Sequence, residues 1–121
     1  MTVCYAAKLC GTPVPKGRPR LGKGRVYTPS RTRAWETELG LRWRSAFRNE
    51  GRFDEGPVSV SLVFYVEGKR GDLDNYVKAV LDGLNGIAWR DDSQVERIEA
   101  EFGEVSEEEP SGVYVEVRDG E

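Results

Sequence analysis

The chain has 121 residues, with 18 Lys and Arg against 21 Asp and Glu, no His, two Cys and 38% hydrophobic residues, as expected of a single small domain spanning 1–121. No stretch approaches the roughly 18 consecutive apolar residues of a membrane span and no apolar run follows Met1, so no membrane partner and a cytoplasmic location are expected. Without His there is no Ser-His-Asp or Cys-His nucleophile system and no His-containing metal site, and two Cys are too few for structural zinc.

Thr2 to Cys10 reads as a strand with Val3, Tyr5, Ala7 and Leu9 on one face. Cys4 and Cys10 on that strand lie roughly 20 Å apart, beyond disulfide reach, and are expected to be reduced, half-buried fillers. Gly11 to Ser30, rich in Gly, Pro, Lys and Arg, buries little and reads as a surface loop. From Arg31 to Asn49 the residues Trp35, Leu39, Trp43, Ala46 and Phe47 recur at helical spacing, with Gly51 as the expected stop. Val58 to Glu67 alternates, placing Val58, Val60, Leu62, Phe64 and Val66 on one strand face. After the turn at Gly68 to Gly71, Leu73, Val77, Val80, Leu81 and Leu84 mark a second helix. Ile98, Ala100 and Phe102 indicate a third strand, and Val113, Val115 and Val117 a fourth. The order βαβαββ predicts a small α/β (α+β) domain, a mixed four-stranded sheet covered by two main helices.

The near-neutral net charge conceals its distribution. Residues 1–53 carry twelve Lys or Arg and three acids, a net +9, whereas residues 54–121 carry six bases and eighteen acids, a net −12. Such polarity suggests one surface for a polyanion and a second charge cluster with another task. The Glu104, Glu107, Glu108 and Glu109 group reads as a solvated loop. Asp72 and Asp74 fall where the second helix begins, and Lys78 and Asp82 continue from Asp74 along one stripe, while Asp91 and Asp92 follow the helix and could fold back onto it. Clustered carboxylates repel unless a cation sits among them, and oxygen-only donors select a hard ion, Mg²⁺ or Mn²⁺, with Ca²⁺ as a non-productive substitute. An EF-hand loop starting at Asp72 fails, because Val77 stands where Gly is required and Gly83 where Glu is required. Each acid also has a bland alternative: Asp72 as a helix cap, Asp74 with Lys78 as a surface pair, Asp91 and Asp92 as a turn. Trp35 and Trp43 read as core, while Trp89, beside the acidic pair, stays open.

The run Gly71-Asp72-Leu73-Asp74-Asn75, with Lys78, Leu81-Asp82-Gly83-Leu84 and Asp91-Asp92-Ser93-Gln94-Val95, resembles the signature of the RusA family of Holliday junction resolvases. The likeness extends to Val14-Pro15-Lys16-Gly17-Arg18-Pro19-Arg20 and Arg25-Val26-Tyr27-Thr28-Pro29. It implies a homodimeric, Mg²⁺-dependent endonuclease, with Mn²⁺ as a substitute, that nicks four-way DNA junctions symmetrically. By position it implies Asp72, Asp74 and Asp92 as catalytic metal ligands, Asp91 as a further candidate, and Lys78 as the active-site lysine. Lys16, Arg18, Arg20, Lys23, Arg25, Lys69 and Arg70 are the expected DNA contacts. A catalytically silent junction-binding module and a less selective metal-dependent nuclease are the alternatives.

Overall fold

The computed structural model describes residues 3–16 and 29–120. Six elements follow in the expected order: β1 (Cys4–Cys10), α1 (Pro29–Phe47), β2 (Val58–Tyr65), α2 (Leu73–Leu84), β3 (Val95–Gly103) and β4 (Gly112–Asp119). The strands form one mixed sheet in the order β1, β4, β2, β3, with β4 antiparallel to both its neighbours and β3 parallel to β2.

Period-two alternation gives the sheet one apolar face. Val58, Val60, Leu62 and Phe64 of β2 and Val113, Val115 and Val117 of β4 are buried, and Leu62 pairs with Val115 in register. Tyr5, Ala7 and Leu9 continue that face on β1, and Leu39, Trp43, Tyr76, Val80 and Leu84 of the two helices close over it. The same alternation turns Cys4 and Cys10 outward. Both thiols are unpaired and exposed, not half-buried as the sequence suggested. The outer face is polar, with Arg118 bridging Glu116 on its own strand and Glu99 on β3.

Proline suits the first turn of α1, where its missing N–H has no partner to lose. The helix ends at Phe47, short of the expected Asn49, because Arg48 adopts a φ of 56° and the chain tightens into a 3-10 turn over Arg48–Gly51. Trp35, Leu39, Trp43 and Phe47 form one i, i+4 row against the core, and Ala46 falls off that row into solvent. Gly51 does not end the helix by a left-handed conformation; packing demands it. The Trp43 Nε1–H donates to its carbonyl at 2.9 Å, and a Cβ at Gly51 would lie 3.1 Å from that nitrogen.

Helix α2 has the expected limits, but its buried centre is Tyr76, Ala79, Val80 and Leu84, with Leu73, Val77 and Leu81 on its flanks. It crosses α1 through two glycines. A Cβ on Gly83 would stand 3.0 Å from the Glu36 carbonyl oxygen, and one on Gly40 3.0 Å from that of Gly83. No helix among the described residues is long and apolar enough to cross a membrane.

Candidate active site

The strand–helix–strand unit β2-α2-β3 distributes the acids. Asp72 caps α2 by backbone position, yet its side chain makes no capping hydrogen bond, and both Asp72 and Asp74 in the first turn are exposed. Carboxylates here face the positive end of the helix dipole. The preceding residues are held from below. Gly71 donates its N–H to the buried Tyr76 hydroxyl at 3.2 Å, and the Arg70 guanidinium stacks over Phe102 at 4.0 Å. Lys78, one turn beyond Asp74, is also exposed.

Asp91 caps the 3-10 turn Asp92–Gln94. Its Oδ2 accepts the Ser93 N–H at 3.0 Å, and the Gln94 Oε1 accepts the Asp91 N–H at 2.9 Å. Hydrogen bonds from the Ser93 side chain and backbone hold the Asp91 carboxyl below the usual carboxylate range. Gln94 Nε2 then donates to the Phe53 and Gly56 carbonyls, fixing the turn to the segment before β2. Asp92 is oriented differently: its Oδ1 accepts the indole N–H of the fully buried Trp89 at 2.7 Å, while the residue itself stays exposed. Trp89 is therefore core, and it aims an acid.

These two groups lie at opposite ends of the domain. Asp72 and Asp74 follow the C-terminal end of β2, whereas Asp92 precedes β3, whose first residue Val95 pairs with Val58 at the start of β2. The twelve residues of α2 separate them, about 18 Å at 1.5 Å per residue. A Mg²⁺–oxygen bond of about 2.1 Å cannot bridge that gap. Asp91 and Asp92 do not fold back onto the start of the helix, and within one chain Asp72, Asp74 and Asp92 do not converge. Among the described residues no three acidic or cysteine side chains are gathered to hold a metal ion. The donors are nevertheless oxygen-only and solvent-facing, a chemistry that suits a hard divalent cation.

Residues 11–118, nearly the whole chain, match the profile of the endodeoxyribonuclease RusA. The chain belongs to the RusA family. Among curated relatives, the uncharacterized protein YqaN of Bacillus subtilis (strain 168) is 30% identical over 133 aligned positions, covering 88% of this chain and 91% of the relative. Membership in the RusA family implies an endonuclease of the Holliday junction resolvase class, acting on branched DNA.

Of the basic residues expected to contact DNA in this chain, Lys69 and Arg70 are exposed just before Asp72. Arg18, Arg20, Lys23 and Arg25 lie outside the described residues. Lys16 is committed elsewhere. Its ammonium pairs with Glu36 at 2.6 Å and Asp82 at 2.9 Å, its backbone N–H donates to the Asn75 carbonyl, and the neighbouring Pro15 carbonyl accepts the Thr32 hydroxyl. The segment that leads into the basic residues after Lys16 is thus clamped to both helices. Sequence spacing showed Asp82 on the stripe of α2, but gave no sign that Lys16 would reach it.

Burial opposes the charge on Lys16, yet the hydrogen bonds and charges of Glu36 and Asp82 outweigh it and push the ammonium above the ordinary lysine range. Lys16→Met leaves Glu36, whose side chain is 14% exposed, without its cation and is expected to lower stability by about 1–2 kcal/mol in urea unfolding at pH 7. Because the folded pKa is raised, the wild-type advantage is full below the ordinary lysine value of about 10.4 and disappears as pH climbs through the folded value. An unchanged midpoint at neutral pH would show that the clamp contributes nothing.

Proposed function

We propose that this RusA-family protein is a Mg²⁺-dependent endodeoxyribonuclease that resolves four-way DNA junctions by paired, symmetric nicks, and that it works as a twofold homodimer whose active sites are shared. Asp72 and Asp74 of one copy and Asp92 of the other would hold the cation, with Asp91 kept as the cap that shapes the Asp92 turn. The observation that carries this reading is the separation of exposed acids, Asp72 and Asp74 at the start of α2 and Asp92 in the turn that follows the helix and leads into β3. Two α2 helices set antiparallel about a twofold axis bring each end of one beside the opposite end of the other, and an isologous dimer generates two equivalent sites. A four-way junction has approximate twofold symmetry, so two sites match two cuts.

When bound, Mg²⁺ supplies Lewis-acid polarisation of the scissile phosphate, and Mn²⁺ can substitute for it. Trp89 fixes Oδ1 of Asp92, so the carboxylate would present itself to the cation in one orientation. Lys78 places a compact positive charge one turn from Asp74, suited to neutralising charge that develops on the phosphate. Lys69 and Arg70 grip backbone phosphates beside the acids, and Arg18, Arg20, Lys23 and Arg25 extend that grip. Such contacts supply affinity with little sequence readout.

The test is a labelled four-way junction incubated with pure protein in Mg²⁺ and in EDTA, beside a linear duplex of the same sequence. Paired nicks in the junction only with Mg²⁺ are expected; equal cutting of the duplex favours a less selective nuclease, and binding without cutting a silent module. Replacing Arg18, Arg20 and Lys23 together by Ala is expected to make the slope of log K against log salt shallower by about 0.9 for each phosphate the loop no longer neutralises. An unchanged slope removes the loop from the interface.

A further inference from the structure

We propose that Phe102 is a positioning residue for DNA binding: its ring holds the Arg70 guanidinium in place beside Asp72, so that a phosphate meets a preset donor. The inference rests on the nuclease reading above and adds to it a residue that carries no charge and belongs to no acidic or basic motif of the sequence. Phe102 lies on the inner face of β3, paired in register with Phe64. Its ring meets Tyr76 edge-to-face at 5.7 Å and 87°, and Tyr76 in turn packs on Phe64 at 5.4 Å. This aromatic group supports two consecutive residues. Tyr76 accepts the Gly71 N–H, and Phe102 carries Arg70, with the guanidinium carbon 4.0 Å from the ring centroid.

The chemistry of that contact matters more than its strength. A guanidinium stacked on a ring uses its planar face and leaves its N–H fork available, whereas an exposed arginine without such a support must give up its rotamer freedom when it grips a phosphate. Arg70 is exposed, two residues before Asp72 and four before Asp74, so its ordered fork stands at the same end of α2 as the acids. A lysine over the same ring would sit there as a point charge, without a planar fork to present to a phosphate.

Binding of a four-way junction is measured in EDTA, where no cleavage intervenes, for wild type, Phe102→Leu, Phe102→Tyr, Arg70→Ala and the double variant Arg70→Ala with Phe102→Leu. Phe102→Leu is expected to weaken binding about two- to fivefold, Phe102→Tyr to bind as wild type, and the double variant to bind no more weakly than Arg70→Ala alone. In NMR spectra of the unliganded protein, the ring-current displacement of the Arg70 δ-methylene resonances is lost in Phe102→Leu and kept in Phe102→Tyr. If Phe102→Leu does not fold, Arg70→Lys carries the test: it keeps the charge and is expected to weaken binding to the same extent. Wild-type affinity in Phe102→Leu or Arg70→Lys, or an equal loss on adding Phe102→Leu to Arg70→Ala, overturns the proposal while leaving the nuclease reading intact. A wild-type protein that binds no junction overturns both.

Discussion

Asp74→Asn is expected to abolish junction cleavage, lowering the rate by at least about a thousandfold, while junction binding is retained or tightened. The substitution keeps the shape of the side chain but turns one acceptor oxygen into an NH2 donor and removes one negative charge from the first turn of α2, a few residues after Lys69 and Arg70. A neutral amide is a poor ligand for a hard cation, and removal of a charge that repels phosphate favours the bound state. A helix-surface pair between Asp74 and Lys78 predicts a different outcome, with cutting unchanged and stability altered by a few tenths of a kcal/mol. Single-turnover cleavage and filter binding on the same preparation separate the two.

Gly83→Val is expected to have the largest effect on folding, about 1–3 kcal/mol, seen as a melting temperature lower by some 4–12 °C. A first side-chain carbon at this position would face the Glu36 carbonyl oxygen at 3.0 Å, the Glu36 Cα at 3.2 Å and the Leu39 Cδ2 at 3.2 Å. Two of these three atoms are backbone, so relief requires α1 and α2 to move apart. Glu36 and Asp82 at that crossing also hold Lys16, and separation of the helices loosens that clamp. A melting temperature within a degree of wild type would show that the glycine crossing is not close-packed in solution.

Elements with strong periodicity were legible from the residues alone. Alternation located the inner faces of the two central strands and most of the outer two, where Val3 and Ile98 stay exposed, and helical spacing gave the limits of α2 at Leu73 and Leu84. What failed was decided by tertiary partners. Tyr76 becomes the centre of the α2 face because Phe64 and Phe102 surround its ring, and Ala46 drops out of the core because the sheet meets only the i, i+4 row from Trp35 to Phe47. The acids themselves were visible as a motif; their arrangement was not. Closeness in sequence suggested one cluster, yet a helix between two parallel strands must begin at the C-terminal end of the first and return the chain to the N-terminal end of the second. Recognising β3 as parallel to β2 would have placed Asp92 opposite Asp72 and Asp74 from topology alone. Trp89 stood beside its acid in the sequence, but the contacts of Lys16 and Phe102 had no such signal, since each acts through a partner 20 to 66 positions away in the chain.

The shared site is tested most directly by mixing two inactive variants. Asp74→Asn and Asp92→Asn, each expected to be inert by itself, are refolded together in equal amounts and assayed on a four-way junction in Mg²⁺. In a mixed dimer one site carries both substitutions and the other carries neither, so cleavage returns, as nicks from a single intact site in each mixed dimer. If all the ligands of a site came from one chain, every site in the mixture would carry a substitution. A mixture as inert as its two components, beside a wild-type control that cuts, would contradict the shared site.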